Sequence, residues 1–262
     1  MSDVHEEVHY EVADKVARIT IDRPERRNSL SRAVMDRLVD LFVTAGNDRD
    51  VWAVVLSASG DKAFCAGADL KELDETAHSG EQVPVPMSGT GRNVHEAVLE
   101  TGKPTIAAIN GPVLAGGCEL ALACDLRIAA AHAFIGLPEA KRGMGANFAT
   151  VLLPRLIPRA IAMQMLYVGE PITADEALHW GLYNAVVPGE QLREATDDLV
   201  GKIVANAPLT LRRYKEMTTK GWDLPPSTAL RLNVGPNPYL SEDREEGVRA
   251  FVEKRAPVWR NR

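Results

Sequence analysis

Apolar positions in this chain fall in short runs of strand length, separated by stretches with helical spacing. The segment "HYEVADKVARITIDRP" reads as a hairpin. Val16, Arg18 and Thr20 alternate with apolar neighbours as in a half-exposed strand, Asp14-Lys15 supply the turn, and Pro24 ends the strand. "SLSRAVMDRLVDLFVTAGND" follows, with Val34, Leu38, Leu41 and Phe42 on one helical face and Ser29 or Ser31 placed to cap it. "WAVVLSAS", "TIAAIN" and "LRIAAA" are compact apolar runs too short for helices. Apolar strands of this kind, interleaved with helices, predict an α/β arrangement whose strands are covered on both faces.

Asp74 to Gly91 is polar and broken by Pro84 and Pro86, and is expected to form a surface loop. After Pro154 the pattern turns helical. "RAIAMQMLYVG" and "TADEALHWGL" are two short helices, the second with Thr173 and Glu176 in capping-box register. "YNAVVP" is a last strand, and from Glu190 onward the spacing is helical almost throughout. A boundary is expected between Pro188 and Pro208. The organisation read from this is a core over residues 1–200 and a helical region over 201–262.

Composition narrows the function. A chain of 262 residues, 45% hydrophobic and 25% charged, can bury a core of useful size. Its formal net charge of −6, with no basic stripe, argues against nucleic acid as a partner. No apolar run is long enough to span a bilayer, and "MSDVHEEVHYEV" has no apolar segment of a secretory signal. Cys65, Cys118 and Cys124 show no paired spacing, which fits reduced thiols in the cytoplasm. A nucleophilic Cys is disfavoured because no His lies near one in sequence. His5 and His9 are four apart in a tail expected to fray, with no further ligand at zinc-like spacing, so no metal is expected. His95, His132 and His179 are read as structural.

The informative chemistry lies at two glycine turns. "KAFCAGADLKE" and "INGPVLAGGCELALACD" each place Gly between an apolar strand and a helix start. Glycine lets the backbone turn sharply and approach a ligand, and a helix start leaves N–H groups unpaired. Two such loops that converge would grip one oxygen from two sides. Taken alone, the spacing favours plain packing turns, because short glycine motifs recur by chance. Neither loop fits a phosphate-binding pattern, and no G-x-S-x-G elbow exists. Glu119 sits beside the second turn and Glu139 lies in "FIGLPEAKRG". Partly desolvated carboxylates there would have raised pKa values and could exchange protons at the carbon next to a carbonyl. The plainer readings are a charge favoured at a helix N-terminus for Glu119 and a solvated loop acid for Glu139. Arg142, three residues on, either pairs with Glu139 or faces solvent.

In this order, the segments resemble the crotonase family, the enoyl-CoA hydratases and isomerases, over nearly the whole chain. "RPERRNSLS" resembles the family's first loop, "FCAGADLKE" its CoA and oxyanion loop, and "INGPVLAGGCELALACD" its strand–turn–helix signature. "GEPITADEALHWGLYNAVVP" and "EGVRAFVEKRAPVW" resemble later markers. The resemblance implies a spiral of repeated ββα units with a C-terminal helical region that packs in a homotrimer or a dimer of trimers. It implies oxyanion N–H groups at Ala68 and Gly116 and hydratase carboxylates at Glu119 and Glu139. It also implies CoA contacts at Ala66, Asp69, Leu70 and Lys71, with Arg26 near the adenine end. Coenzyme A would arrive as part of an acyl-CoA substrate, and no separate cofactor is implied. The alternatives are an isomerase or a carnitinyl-CoA-like dehydratase of the same family, or a binder without turnover. One departure stands out. Family hydratases follow the second glutamate with a segment of the type P-G-x-G-G-T, whereas this chain reads "AKRGMGANFATVLLPR" and is one residue shorter before Pro154.

Overall fold

The structure is a computed structural model and describes residues 4–79, 87 and 91–262. A short helix α1 (Val4–Glu7) leads into the hairpin β1 (Val8–Ala13) and β2 (Val16–Ile21). Asp14 and Lys15 both adopt positive φ, as the two central residues of a tight hairpin turn require. From Val4 onward the chain is therefore ordered into elements where a frayed tail was expected. His9 is paired in β1 and contacts Asp22 at 2.8 Å.

The helix α2 (Arg32–Asn47) begins where Ser31 accepts from the Val34 N–H and buries Val34, Leu38, Leu41 and Phe42, the face read from the sequence. Next come β3 (Ala53–Ala58), α3 (Leu70–Ser79), α4 (Val94–Leu99) and β4 (Thr105–Ile109). The polar stretch expected as a loop from Asp74 is helical through Ser79, and residues 80–86 and 88–90 lie outside the described residues. The apolar positions of that helix, Leu70 and Leu73, lie before Asp74, so the stretch read as a loop shows chiefly polar residues such as Asp74 and Glu75.

The chain then repeats one motif. β5 (Val113–Leu114) leads into α5 (Gly116–Ala123), and β6 (Leu126–Ala130) and β7 (Phe134–Gly136) lead through a 3-10 turn (Pro138–Arg142) into α6 (Asn147–Leu156) and α7 (Arg159–Val168). α6 begins seven residues before Pro154, so the proline lies inside the helix and does not precede it. β8 (Ile172–Thr173), α8 (Ala174–His179) and β9 (Ala185–Val187) complete the spiral, with the Thr173–Glu176 capping box formed.

Two sheets result. The larger has the order β1-β2-β3-β4-β6-β9 and is parallel except at the β1–β2 hairpin. The smaller has the order β5-β7-β8. Strand periodicity divides the larger sheet's side chains between two cores. Ile19, Val54, Leu56, Ala107 and Ile109 join the main core. Val16, Ala53, Val55, Ile106 and Ala108 face α9 (Leu192–Val204), which adds Val200. The strands therefore read as apolar runs because both faces are covered.

The C-terminal region comprises α10 (Pro208–Gly221), α11 (Pro226–Ala229) and α12 (Glu242–Glu253), and the expected division at residue 200 falls inside α9. Buried Lys215 pins α10 to the core. Its Nζ donates to the carbonyls of Val98 and Lys103 and to Thr105 Oγ1, and lies 2.9 Å from Asp125 Oδ2. No helix among the described residues is long and apolar enough to cross a membrane.

The two glycine loops touch without room for side chains. A Cβ on Gly117 would lie 2.4 Å from the Cys65 carbonyl oxygen. Gly117→Ala is therefore expected to destabilise the fold by at least about 2 kcal/mol through forced separation of the loops. Gly201, in α9 with open space around it, is the control. Gly201→Ala should stabilise by about 0.5–1 kcal/mol through helix propensity. Denaturant melts of both variants check the pair.

Candidate active site

The smaller sheet sets the site by register. Cys65 forms a parallel bridge to Val113, and Val113 pairs with Ile135. Three successive turns of the spiral are thus aligned side by side. Three residues beyond each aligned position lie Ala68, Gly116 and Pro138, with Glu139 one further. A sequence separation of more than 70 residues becomes a row of neighbouring loops.

The first loop is clamped from behind by "RPERRNSLS". The Leu30 N–H donates to Gly67 C=O, and the Asp69 N–H donates to Leu30 C=O. This is the parallel pairing of Leu30 with Ala68, and it leaves the Ala68 N–H itself unused. Buried Arg23 reinforces the clamp, donating to Ser29 C=O at 2.6 Å and to Asp69 Oδ2 at 3.2 Å. Arg26 adds a second contact to the same oxygen at 3.2 Å. Burial alone would raise the pKa of Asp69, but the hydrogen bonds and charges of these two arginines outweigh it and hold it below the usual carboxylate range.

The second loop turns at Ala115, which adopts φ 52° and ψ −129°, a conformation that strains a residue with a Cβ. The Ala115 N–H is tied to Gly136 C=O on the third turn, and its own carbonyl accepts from the Glu119 N–H. Gly116 opens α5, where its N–H has no place in the helical ladder. Gly67 has φ +91°, and a Cβ there would lie 3.0 Å from the Gly116 nitrogen. The two loops therefore bring the Ala68 and Gly116 amides to one place.

Glu119 and Glu139 are both buried, at 7% and 6% exposure. Glu119 Oε1 accepts from the Ala149 N–H at 2.9 Å, and the Phe148 amide adds a weaker contact. These are the second and third N–H groups of α6, whose N-cap, Ala146, has no side chain to offer them. Glu119 caps α6 from a neighbouring helix. Burial nonetheless dominates, and with the charge of Glu139 it pushes the Glu119 pKa up to about 7. Glu139 is raised too, chiefly by burial, against partial compensation from its own backbone amide and the charge of Arg142. Arg142 forms no ion pair with it. Its guanidinium reaches the Pro138 carbonyl at 3.5 Å on the exposed side. Glu139 Oε2 is buried with no hydrogen-bond partner, which marks it as a position meant for a further group.

Sequence reasoning missed one neighbour. His95, on α4, is buried, stacks on the Phe148 ring at 4.8 Å, and places Nε2 4.0 Å from Glu119 Oε2. Nothing in its sequence surroundings marks it, because packing of α4 against α5 brings it in. Of the CoA-loop residues, Leu70 and Lys71 are exposed and Ala66 is half-buried, whereas the Asp69 carboxylate turns inward to Arg23 and Arg26. The three thiols are buried, and burial pushes Cys65 and Cys124 up to about 12, which keeps them as inert thiols at neutral pH. Among the described residues no group of three His, Cys, Asp or Glu is gathered as a metal would need.

A spiral of ββα turns with its polar groups gathered on adjacent loops is the architecture of the crotonase class. The enoyl-CoA hydratase/isomerase family model matches residues 11–262. The chain is 38% identical to the (E)-benzylidenesuccinyl-CoA hydratase of Thauera aromatica, covering 97% of this chain and 98% of that one. It is 35% identical to the carnitinyl-CoA dehydratase of Salmonella typhi, covering 98% and 99% respectively. The solved structure of an enoyl-CoA hydratase from Bacillus anthracis superposes with a TM-score of 0.88 at 35% identity, over 98% of this chain and all of that one. The protein belongs to the enoyl-CoA hydratase/isomerase family.

The buried Glu119 gives a stability signature. A carboxyl whose folded pKa is raised keeps its proton in the folded state while the unfolded chain has released it. Its contribution is neutral below about 4.5, and stability falls as pH rises from there to about 7. Glu119→Gln removes that loss. Relative to wild type it should be unchanged in stability near pH 4.5 and more stable at pH 8, by no more than about 3 kcal/mol. Urea melts across this range check it, and a gain of equal size at both pH values would contradict the assignment.

Proposed function

We propose that this protein is an enoyl-CoA hydratase that adds water reversibly across the α,β double bond of a 2-enoyl-CoA thioester. The observation that carries the reading is the pair of buried carboxylates beside two convergent, uncommitted amides. The Ala68 and Gly116 N–H groups receive the thioester oxygen, whose negative charge grows as the β-carbon is attacked. Glu119 takes a proton from water as its hydroxyl adds to Cβ, and Glu139 delivers a proton to Cα. The reverse order of the same steps is dehydration. The two acids share one water and titrate as a pair, so the division of labour concerns the dominant direction of each transfer. No cofactor is needed, since coenzyme A is part of the substrate.

Arg26, Ala66, Asp69, Leu70 and Lys71 are read as the CoA-contacting loop, with Asp69 acting through its backbone because its carboxylate is held by arginines. Exposed apolar residues on the C-terminal region, including Leu230, Leu240, Phe251 and Val252, support a homotrimer or a dimer of trimers. Three unpaired thiols support a cytoplasmic setting. A dehydratase acting on a carnitinyl-like thioester is the second reading. It is favoured by the departure after Glu139, in a segment that here forms the start of α6 against Glu119.

A panel of trans-2-enoyl-CoA thioesters from short to long, followed by loss of enoyl absorbance and product mass, tests the reading. Hydration of at least one member is expected. Glu119→Gln and Glu139→Gln should each lower kcat by about 100- to 10,000-fold with little change in KM. Double-bond migration without solvent oxygen would place the protein among the isomerases, and tight binding without turnover would make it a binder.

A further inference from the structure

His95 is a buried polar residue that the proposed hydration steps do not use. Both its ring nitrogens are shielded from solvent, and neither makes a hydrogen bond of good geometry, although the Gly116 backbone lies near enough to favour the protonated ring. An imidazole left this way in a protein interior is costly unless it serves a neighbour. Glu119 Oε1 accepts from the Ala149 amide, while Oε2 faces His95 Nε2 at 4.0 Å. The imidazole is fixed by stacking on Phe148, nearly parallel at 20°. That same residue's backbone amide faces Glu119. The stack therefore joins α4 to α6 across the carboxylate that lies between them.

We propose that His95 is the positioning residue for Glu119, its neutral imidazole presenting Nε2–H to Oε2 and so fixing the carboxylate's orientation and favouring its ionised form. This rests on Glu119 being the group that activates water. Among the described residues the remaining surroundings leave His95 as the adjustable side-chain donor. Glu139, from the 3-10 turn, opposes ionisation. From α6 only backbone amides reach Glu119, since the helix's single charged side chain, Arg155, is directed to Asp223. On α5 the neighbouring Cys118 is a buried thiol held protonated. Arg127 sits under the far end of α5, bonded to the carbonyls of Ala121, Cys124 and Leu182. On α4 Glu96 is exposed and acts on His95, not on Glu119. Burial lowers the His95 pKa to about 4, so the ring stays neutral where Glu119 titrates and contributes a dipole, not a charge.

The test uses three full-length proteins: wild type, His95→Phe, which keeps the stack and removes the donor, and His95→Gln, which keeps an amide donor at a similar reach. The titration midpoint of Glu119 is read by carboxyl-carbon NMR on glutamate-labelled protein, assigned by the signal lost in Glu119→Gln. The pH profile of kcat/KM is measured alongside. His95→Phe should move the Glu119 midpoint up by about one pH unit and the acid limb of the profile with it, a loss of about tenfold at pH 6 that shrinks toward pH 9. His95→Gln should return both toward wild type. A midpoint unmoved in His95→Phe, or moved equally in His95→Gln, would overturn the proposal. A midpoint that moves while the pH profile does not would keep His95 as the partner of Glu119 and remove Glu119 from the role of base. The NMR titration needs no turnover, so an inactive protein still decides the positioning question.

Discussion

The parallel register of Cys65, Val113 and Ile135 is the constraint on which the rest of the site depends. The three are paired at one level, and the Leu114–Gly136 pair carries the register one residue further before the chains turn away. Because parallel pairing fixes all three to one level, the residues that follow emerge together. The loop amides and Glu139 are thereby neighbours although each comes from a different turn of the spiral. The level holds only if the turns can approach, and Gly117 packed on the Cys65 backbone supplies that approach. The strained Ala115 is the counterpart of the same requirement. Its backbone bonds tie the second turn to the third at Gly136 and to Glu119, so the surrounding ladder over-determines a conformation that the residue alone would avoid.

Electrostatics at Glu119 follow from packing more than from charge pairing. The carboxylate sits on an apolar helix whose other members, Leu120 and Leu122 among them, are buried. Burial in such a site raises the pKa of the acid. The uncapped start of α6, whose amides Glu119 satisfies, works against that burial, and the net value is about 7. One contact thus serves two ends: it supplies a helix with the cap that Ala146 lacks, and it leaves the acid able to gain or lose a proton at neutral pH. A cation beside Glu119 would have pulled its pKa low and spoiled it as a base. The structure instead places amides and a neutral imidazole there.

The elements with the strongest periodicity were legible in the sequence: the hairpin with its Asp14-Lys15 turn, α2 with its Ser31 cap, the apolar strands, and the Thr173–Glu176 box. The order of motifs also disclosed the spiral and its family. What stayed hidden has two causes. The helical start of the Asp74–Gly91 stretch was masked by its acidic composition. His95 meets Glu119 across 24 positions, Glu119 caps α6 at Ala149 across 30, and Arg23 reaches Asp69 across 46. Local pattern carries no information about such pairs. Asp69 illustrates the limit in the other direction. Its place in the CoA loop was readable, but only the fold shows that its side chain serves the clamp behind the loop.

The departure after Glu139 can now be given a physical meaning. A proline- and glycine-rich segment would shape that loop differently, proline fixing φ and glycine allowing tight turns. Here "AKRGMGANFATVLLPR" starts a regular helix at Asn147, with Gly143 in the left-handed conformation ending the 3-10 turn. Phe148 is the residue in it that links the site together, since its amide faces Glu119 and its ring stacks on His95. A smaller residue at that position would keep the amide but lose the stack. The imidazole would then be free to turn away from Oε2. The segment that departs from the family pattern and the buried histidine therefore meet in one contact, the Phe148 ring stacked on His95.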